Sequence, residues 1–280
     1  MVMNGVILML AVMVCYTITS LSDKYAVSEA KFTGNEFTFL MCSSMSFFLM
    51  FTLPFQELRF SMTWQSFAAI ILIAVCKTLE FQMSALVLKQ LSAFELKAWL
   101  GVTLFVSYIT DVLYGADLRA AKILCIVLTV TGLVFIARSG RGCKIDYRKI
   151  AVPLFLYLAA KYGYGLVIKA FTPYVSPTVQ LLPALIIIAA VMLFKINPSE
   201  IMKKNRNGAF KVILARIPNA AGMLLENAVI AISLANYSFI QPMILVSLFL
   251  IGILRKESHS KLNLMGSVIC IVGVVMFQFL

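Results

Sequence analysis

Charge is scarce in this chain: only 13% of its 280 residues are Asp, Glu, Lys or Arg. Histidine occurs once, at His259, and the sequence holds no GxxxxGK[ST], no HExxH and no GxSxG. Most hydrolase and metalloenzyme mechanisms lean on His as base or ligand, so its near-absence removes them. His259 stands in a loop beside Glu257, where a solvated side chain is the simplest expectation. Without a phosphate-cradling loop, no nucleotide can drive the work directly. The six cysteines form no CxxC pair. Cys15, Cys42, Cys76, Cys125 and Cys270 fall in apolar runs and read as small buried hydrophobes, while Cys143 lies in a basic loop as a candidate free thiol. The chain is therefore expected to be no enzyme and to carry neither metal nor cofactor.

What replaces charge is apolar sequence. Hydrophobic residues make up 61% of the chain, more than a water-soluble domain of this size can bury in one core. A helix needs about 20 mostly apolar residues to cross the hydrocarbon layer. Ten segments qualify: Gly5–Ser20, Phe37–Phe55, Ser66–Leu88, Phe94–Tyr114, Leu118–Ala137, Ile150–Ala170, Ser176–Phe194, Phe210–Leu234, Tyr237–Leu254 and Leu262–Leu280. The expected fold is an all-α integral membrane protein of ten transmembrane helices, with loops too short for an extramembrane domain. A β-barrel is disfavoured because the runs are continuous rather than alternating. The N-terminal stretch has no positive n-region and no small-residue cleavage site, so it reads as a retained first span.

The net charge of +12 could suggest nucleic acid, but in a membrane protein basic loops stay in the cytoplasm. Loops after odd-numbered segments carry most Lys and Arg, from Lys24, Lys31 and Lys89 through 138–149 and 195–211 to Arg255, Lys256 and Lys261. Loops after even-numbered segments hold little beyond Arg59, Arg119, Lys122 and Lys169. Odd loops are thus expected inside and both termini outside. The expected location is the plasma (inner) membrane, multi-pass, with the lipid bilayer as partner, no nucleic acid, and a monomer or homodimer as the assembly.

Sliding the chain along itself by about 141 residues aligns its halves. Leu91–Phe105 falls on Ile232–Val246, with Ser92 on Ser233 and Gly101 on Pro242. Ala120–Ala137 falls on Lys261–Gln278, with Gly132 on Gly273. Five spans per half is odd, so repeats at 1–141 and 142–280 would lie upside down relative to each other. Secondary transporters repeatedly use that plan, placing a site at mid-membrane between two halves.

With Pro242, Glu257, Gly266 and Gly273 in Gln241–Phe277, the sequence resembles the drug/metabolite transporter superfamily in its ten-helix EamA-like branch. The first half departs from that pattern: Gly101 stands where a proline is usual, and Gly115–Asp117 replaces Gly-Glu. The resemblance implies a carrier of small polar or amphipathic solutes and names no solute.

Ionised side chains inside a bilayer are costly and should face a partner or a wet cavity. Lys77 and Glu80 lie three apart on one helical face. Arg216, Asn219, Met223 and Glu226 make a second stripe, beside Pro218, which should bend its helix. Lys161 sits near the middle of segment six, flanked by Tyr157 and Tyr164. Trp99 and Tyr108 of segment four and Tyr237 and Gln241 of segment nine complete the candidate substrate-binding set. Glu95 and Lys97 are expected at the interface, Asp111, Arg119 and Lys122 in a solvated loop and its flanks, and Lys169 snorkelling to the surface. Each stripe has a structural alternative, an ion pair that fixes helix packing.

The expected function is a carrier moving a small polar or amphipathic metabolite by alternating access, with the proton as candidate coupling ion bound at Glu80 or Glu226. The alternatives are a flippase for a lipid-linked substrate and a non-transporting membrane scaffold subunit.

Overall fold

The computed structural model describes residues 2–28, 30–56, 58–91, 96, 99–101, 103–139, 147–254 and 261–280. Glu95, Lys97, Cys143, Glu257 and His259 lie outside them. The described residues are all-helical apart from turns and one isolated bridge between Phe60 and Val175. The helices are α1 (Val2–Ser28), α2 (Gly34–Met50), α3 (Trp64–Val87), α4 (Thr103–Leu113), α5 (Ala120–Ser139), α6 (Tyr147–Phe171), α7 (Pro177–Leu193), α8 (Pro198–Leu214), α9 (Arg216–Ile232), α10 (Leu234–Leu254) and α11 (Lys261–Phe279). Trp64–Val87, Ile150–Phe171 and the run Pro198–Ile232 are long and apolar enough to cross a membrane.

Local chemistry sets several boundaries. Thr33 and Glu36 form a reciprocal capping box that starts α2. Partial burial opposes charge on Glu36, but the bonds from Thr33 and Lys204 outweigh it and hold the carboxyl below its ordinary value. Asn197 caps α8 ahead of Pro198 at the first helical position. Within α8, Asn205 is non-helical and its side chain accepts from Gly208 N at 2.8 Å, so α8 is two short pieces meeting at that residue.

Two expectations are corrected here. The basic run after segment seven is not a loop: α8 begins at Pro198 and buries Ile201, Ala209 and Val212 while its lysines face outward. Segment eight is bent, as Pro218 predicts, but the interruption falls earlier than the proline. Pro218 has no N–H for the Leu214 carbonyl, the helix is broken by the single turn residue Ala215, and Pro218 sits in the first turn of α9.

The principal pairings join the two halves of the sequence: α5 with α11, α3 with α6, α1 with α9, and α2 with α7. The α5–α11 seam rests on glycine. A Cβ on Gly132 would lie 2.6 Å from Gly266 O and 2.7 Å from Cys270 N. One on Gly273 would lie 2.9 Å from Cys125 O and from Thr129 N. As α5 advances from Cys125 to Gly132, its neighbours on α11 run back from Gly273 to Gly266, so the two helices are antiparallel.

The bundle is apolar on its exterior and charged in its interior. Phe194 is 92% exposed and Phe55 87%, whereas Arg216 and Glu226 are both 0% exposed. In water that distribution would be inverted.

Candidate functional site

Four ionised side chains meet in the interior. On α3, Lys77 Nζ donates to Glu80 Oε2 at 2.8 Å, the contact their spacing predicts. Lys161 of α6 reaches both carboxylates, 3.2 Å from Glu80 Oε1 and 3.3 Å from Glu226 Oε1. Tyr16 of α1 donates to the remaining oxygen, Glu226 Oε2, at 2.5 Å. Every carboxylate oxygen therefore has a donor, and the two positive and two negative charges cancel. Complete pairing is what makes a buried cluster tolerable, because an unpaired buried ion pays its full desolvation.

Aromatic rings and amides frame the charges. Lys77 Nζ lies 3.7 Å from the centroid of the Tyr164 ring, a close cation–π contact. The Tyr164 hydroxyl donates to Asn227 Oδ1 at 2.8 Å, tying α6 to α9. Tyr237 of α10 donates to the Lys161 backbone carbonyl at 3.0 Å. Two close approaches admit these rings: a Cβ on Gly222 would meet the Tyr16 ring, and one on Gly165 the Tyr237 ring, each at 2.8 Å.

Lys77, Glu80 and Lys161 line a cavity of ≈ 120 Å³, room for several waters, while Glu226 lies fully buried behind Lys161. Asn219, Met223 and Gln241 also line it; of the stripe on α9, the two middle residues reach the cavity and Arg216 and Glu226 do not. Arg216, at the start of that stripe, pairs with Asp23 of α1 at 2.5 Å beside the cavity. Its Nε also donates to Val212 O at 3.1 Å.

Two sequence candidates stand elsewhere. Trp99 is 39% exposed and lines none of the described cavities. Tyr108 is buried against Phe277, and its hydroxyl accepts from Arg119 N at 2.9 Å and donates to Asp117 O at 3.2 Å. It pins the turn after α4 and does not face the charge cluster.

Three positions in these buried networks were not among the candidates. Tyr16 and Asp23 share one face of α1 with Thr19 and Ser20, a polar stripe at three-and-four spacing that lines the cavity and could have marked them in an otherwise apolar segment. Asp111 was expected in solvent, yet it is 6% exposed. It accepts from Ser233 Oγ at 2.7 Å, Leu234 N at 3.0 Å and Ala235 N at 2.8 Å, and it pairs with Lys169. A carboxylate from α4 thus caps α10 at the single-residue corner where α9 ends, satisfying donors that the helix cannot. Lys169, expected at the surface, serves this cap instead. Around the corner a second, open cavity of ≈ 770 Å³ is lined by Asp111, Lys169, Asn236 and Lys122.

Among the described residues no group of three or more His, Cys, Asp or Glu is placed to hold a metal ion. No protein-family model matches the chain, and no curated protein matches it in sequence.

Proposed function

We propose that this chain is a secondary transporter of ten membrane spans, built from two inverted five-helix repeats in a cell membrane, and that the Lys77–Glu80–Lys161–Glu226 cluster is its substrate and coupling site. The observation that carries the reading is a fully paired charge cluster, three of whose four members line an interior cavity, in a bundle whose outside is apolar. Such charges are expensive at membrane depth and typically mark ion and solute pathways. At 21 residues α10 spans about 31 Å, enough for the hydrocarbon layer.

The repeat has support from packing. Gly132 meets residues 266 and 270, and Gly273 meets 125 and 129, the same contacts displaced by 141 residues. That is the reciprocity of a two-fold interface. The antiparallel run of α5 and α11 is what inversion requires of counterpart spans. Glu80 and Glu226 also come from counterpart spans, the third and the eighth.

The two cavities give alternating access a geometry. Asp23, Ser84 and Leu88 line the inner cavity near the ends of α1 and α3, toward the basic loops. The second cavity opens among 114–119 and 232–236, at the opposite ends of the helices. On this reading the cavity toward the basic loops is the inner vestibule, and the Asp111–Lys169 pair, which lines the second cavity, belongs to the outer side. An incoming zwitterion or a proton can exchange partners with the lysines and glutamates without leaving a buried ion bare. The likeness to the drug/metabolite transporter superfamily agrees with this layout.

Reconstituted protein, given solutes first selected by ligand-induced thermal stabilisation, tests the reading. Flux by the chain alone is expected, excluding a scaffold role. Glu226→Gln should abolish proton-driven accumulation while solute exchange continues. Single cysteines at positions 80, 161 and 226 that resist aqueous reagents from both faces in every state would overturn the proposal.

A further inference from the structure

On the outside of the bundle a groove of ≈ 340 Å³ runs between α2 and α8, lined by Phe39, Ser43, Phe47, Ile201, Met202 and Ile213 and almost wholly apolar. The groove-lining run Pro198–Met202 is flanked by exposed cations, Lys195 before it and Lys203 directly after. Across 195–211 there are five basic residues and one acid, Glu200, whose carboxylate accepts from the Asn197 side chain. Lys204 is engaged by Glu36, but Lys195 and Lys203 make no ion pair among the described residues. An apolar slot whose α8 wall is bracketed in sequence by exposed cations is complementary to a molecule with a long hydrocarbon tail and an anionic head.

We propose that this groove binds an anionic phospholipid of the leaflet beside α8, with one acyl chain between α2 and α8 and the headgroup phosphate at Lys195 and Lys203. A zwitterionic lipid offers the same chain, but its own cation cancels the attraction of the rim. Membranes carry their anionic lipids on the cytoplasmic side, where the basic loops of this chain are expected. The proposal needs the chain to sit in a bilayer and makes no use of flux, so it can fail while the transport reading stands, and the reverse.

The test uses purified full-length protein in neutral detergent, titrated with dioleoyl phosphatidylglycerol or dioleoyl phosphatidylcholine and read by native mass spectrometry and melting temperature. The wild type is expected to retain phosphatidylglycerol several-fold more than phosphatidylcholine. Lys195→Gln with Lys203→Gln should erase that preference and keep phosphatidylcholine binding. Arg59→Gln with Lys122→Gln, which removes the same charge far from the groove, should leave the preference intact. Ser43→Phe should fill the slot and reduce retention of both lipids. Equal retention of the two lipids by wild type, a preference that survives the Lys195/Lys203 double variant, or one lost equally in the Arg59/Lys122 control would overturn the proposal.

Discussion

Lys161 stands 3.3 Å from Glu226 and shares the same ammonium with Glu80, while Glu80 alone has a second cation in Lys77. The cluster is therefore lopsided. Lys161→Met leaves Glu226 with only the Tyr16 hydroxyl, and stripping a buried ion of its partner costs about 3–5 kcal/mol. Lys77→Met should cost less, because Glu80 keeps Lys161. Adding Glu226→Gln to Lys161→Met should recover much of the loss, a coupling far from additive. Thermal melting in detergent reads all four proteins.

Gly132 and Gly273 make a prediction about shape rather than charge. Backbone atoms of the facing helix lie within 3.0 Å of where either Cβ would be, and backbone cannot swing aside as a side-chain tip can. Gly132→Ala and Gly273→Ala should each destabilise by about 1–3 kcal/mol, the usual cost of overpacking. A two-fold seam predicts similar losses for both. Gly163→Ala, which would meet only the Cys76 sulfur at 3.3 Å, is the milder control.

The part of this site legible in the sequence was the part written within single helices. Lys77 with Glu80, and Arg216 through Glu226, obey the three-and-four spacing of one face, and the cost of a charge in lipid forces those faces inward. What single-helix spacing cannot carry is a partner on another helix. Tyr16 finds Glu226 across 210 residues; the Tyr16, Thr19, Ser20, Asp23 face of α1 was legible by the same spacing, but its partners were not. Trp99 and Tyr108 stand away from the charge cluster, Tyr108 lining the second cavity instead, because aromatic residues suit the lipid face, the core and a cavity wall equally well. Asp111 and Lys169 looked like solvated ends because they lie near segment boundaries, yet a buried corner of backbone N–H groups needed that carboxylate. In α8 the basic run hid a helix, since its charges sit on the outer face and only three or four apolar positions mark the inner one.

Glu36, outside the apolar segments, gives the pH dependence. Its carboxyl is held below the ordinary 4.5 by the bonds from Thr33 and Lys204, which outweigh partial burial. A depressed folded-state value stabilises the fold fully above the unfolded value, and that contribution fades as pH falls through the folded one. Melting temperature should therefore drop as pH goes from about 7 to about 3.5 by more in wild type than in Glu36→Gln, whose side chain does not titrate. Near pH 7 the variant should melt lower, having lost the charge that Lys204 and the start of α2 favour.

If the proposed alternating access holds, the Asp111 cap lies on the side opposite the cavity entrance, and its removal should be felt as access. Asp111→Ala strips the cap from α10, which by itself costs about 0.5–2 kcal/mol, and releases Lys169 toward the open cavity beside it. With the corner at Ser233 no longer fixed to α4, the start of α10 is free to part from α4 and α6. Gln241, buried and facing the inner cavity, is the reporter. In oriented proteoliposomes a single cysteine in place of Gln241 should react with impermeant thiol reagents only from the basic-loop side. In the Asp111→Ala background it should react from both sides. Unchanged one-sided labelling would show that the Asp111–Lys169 pair fastens the α9–α10 corner without serving as a gate.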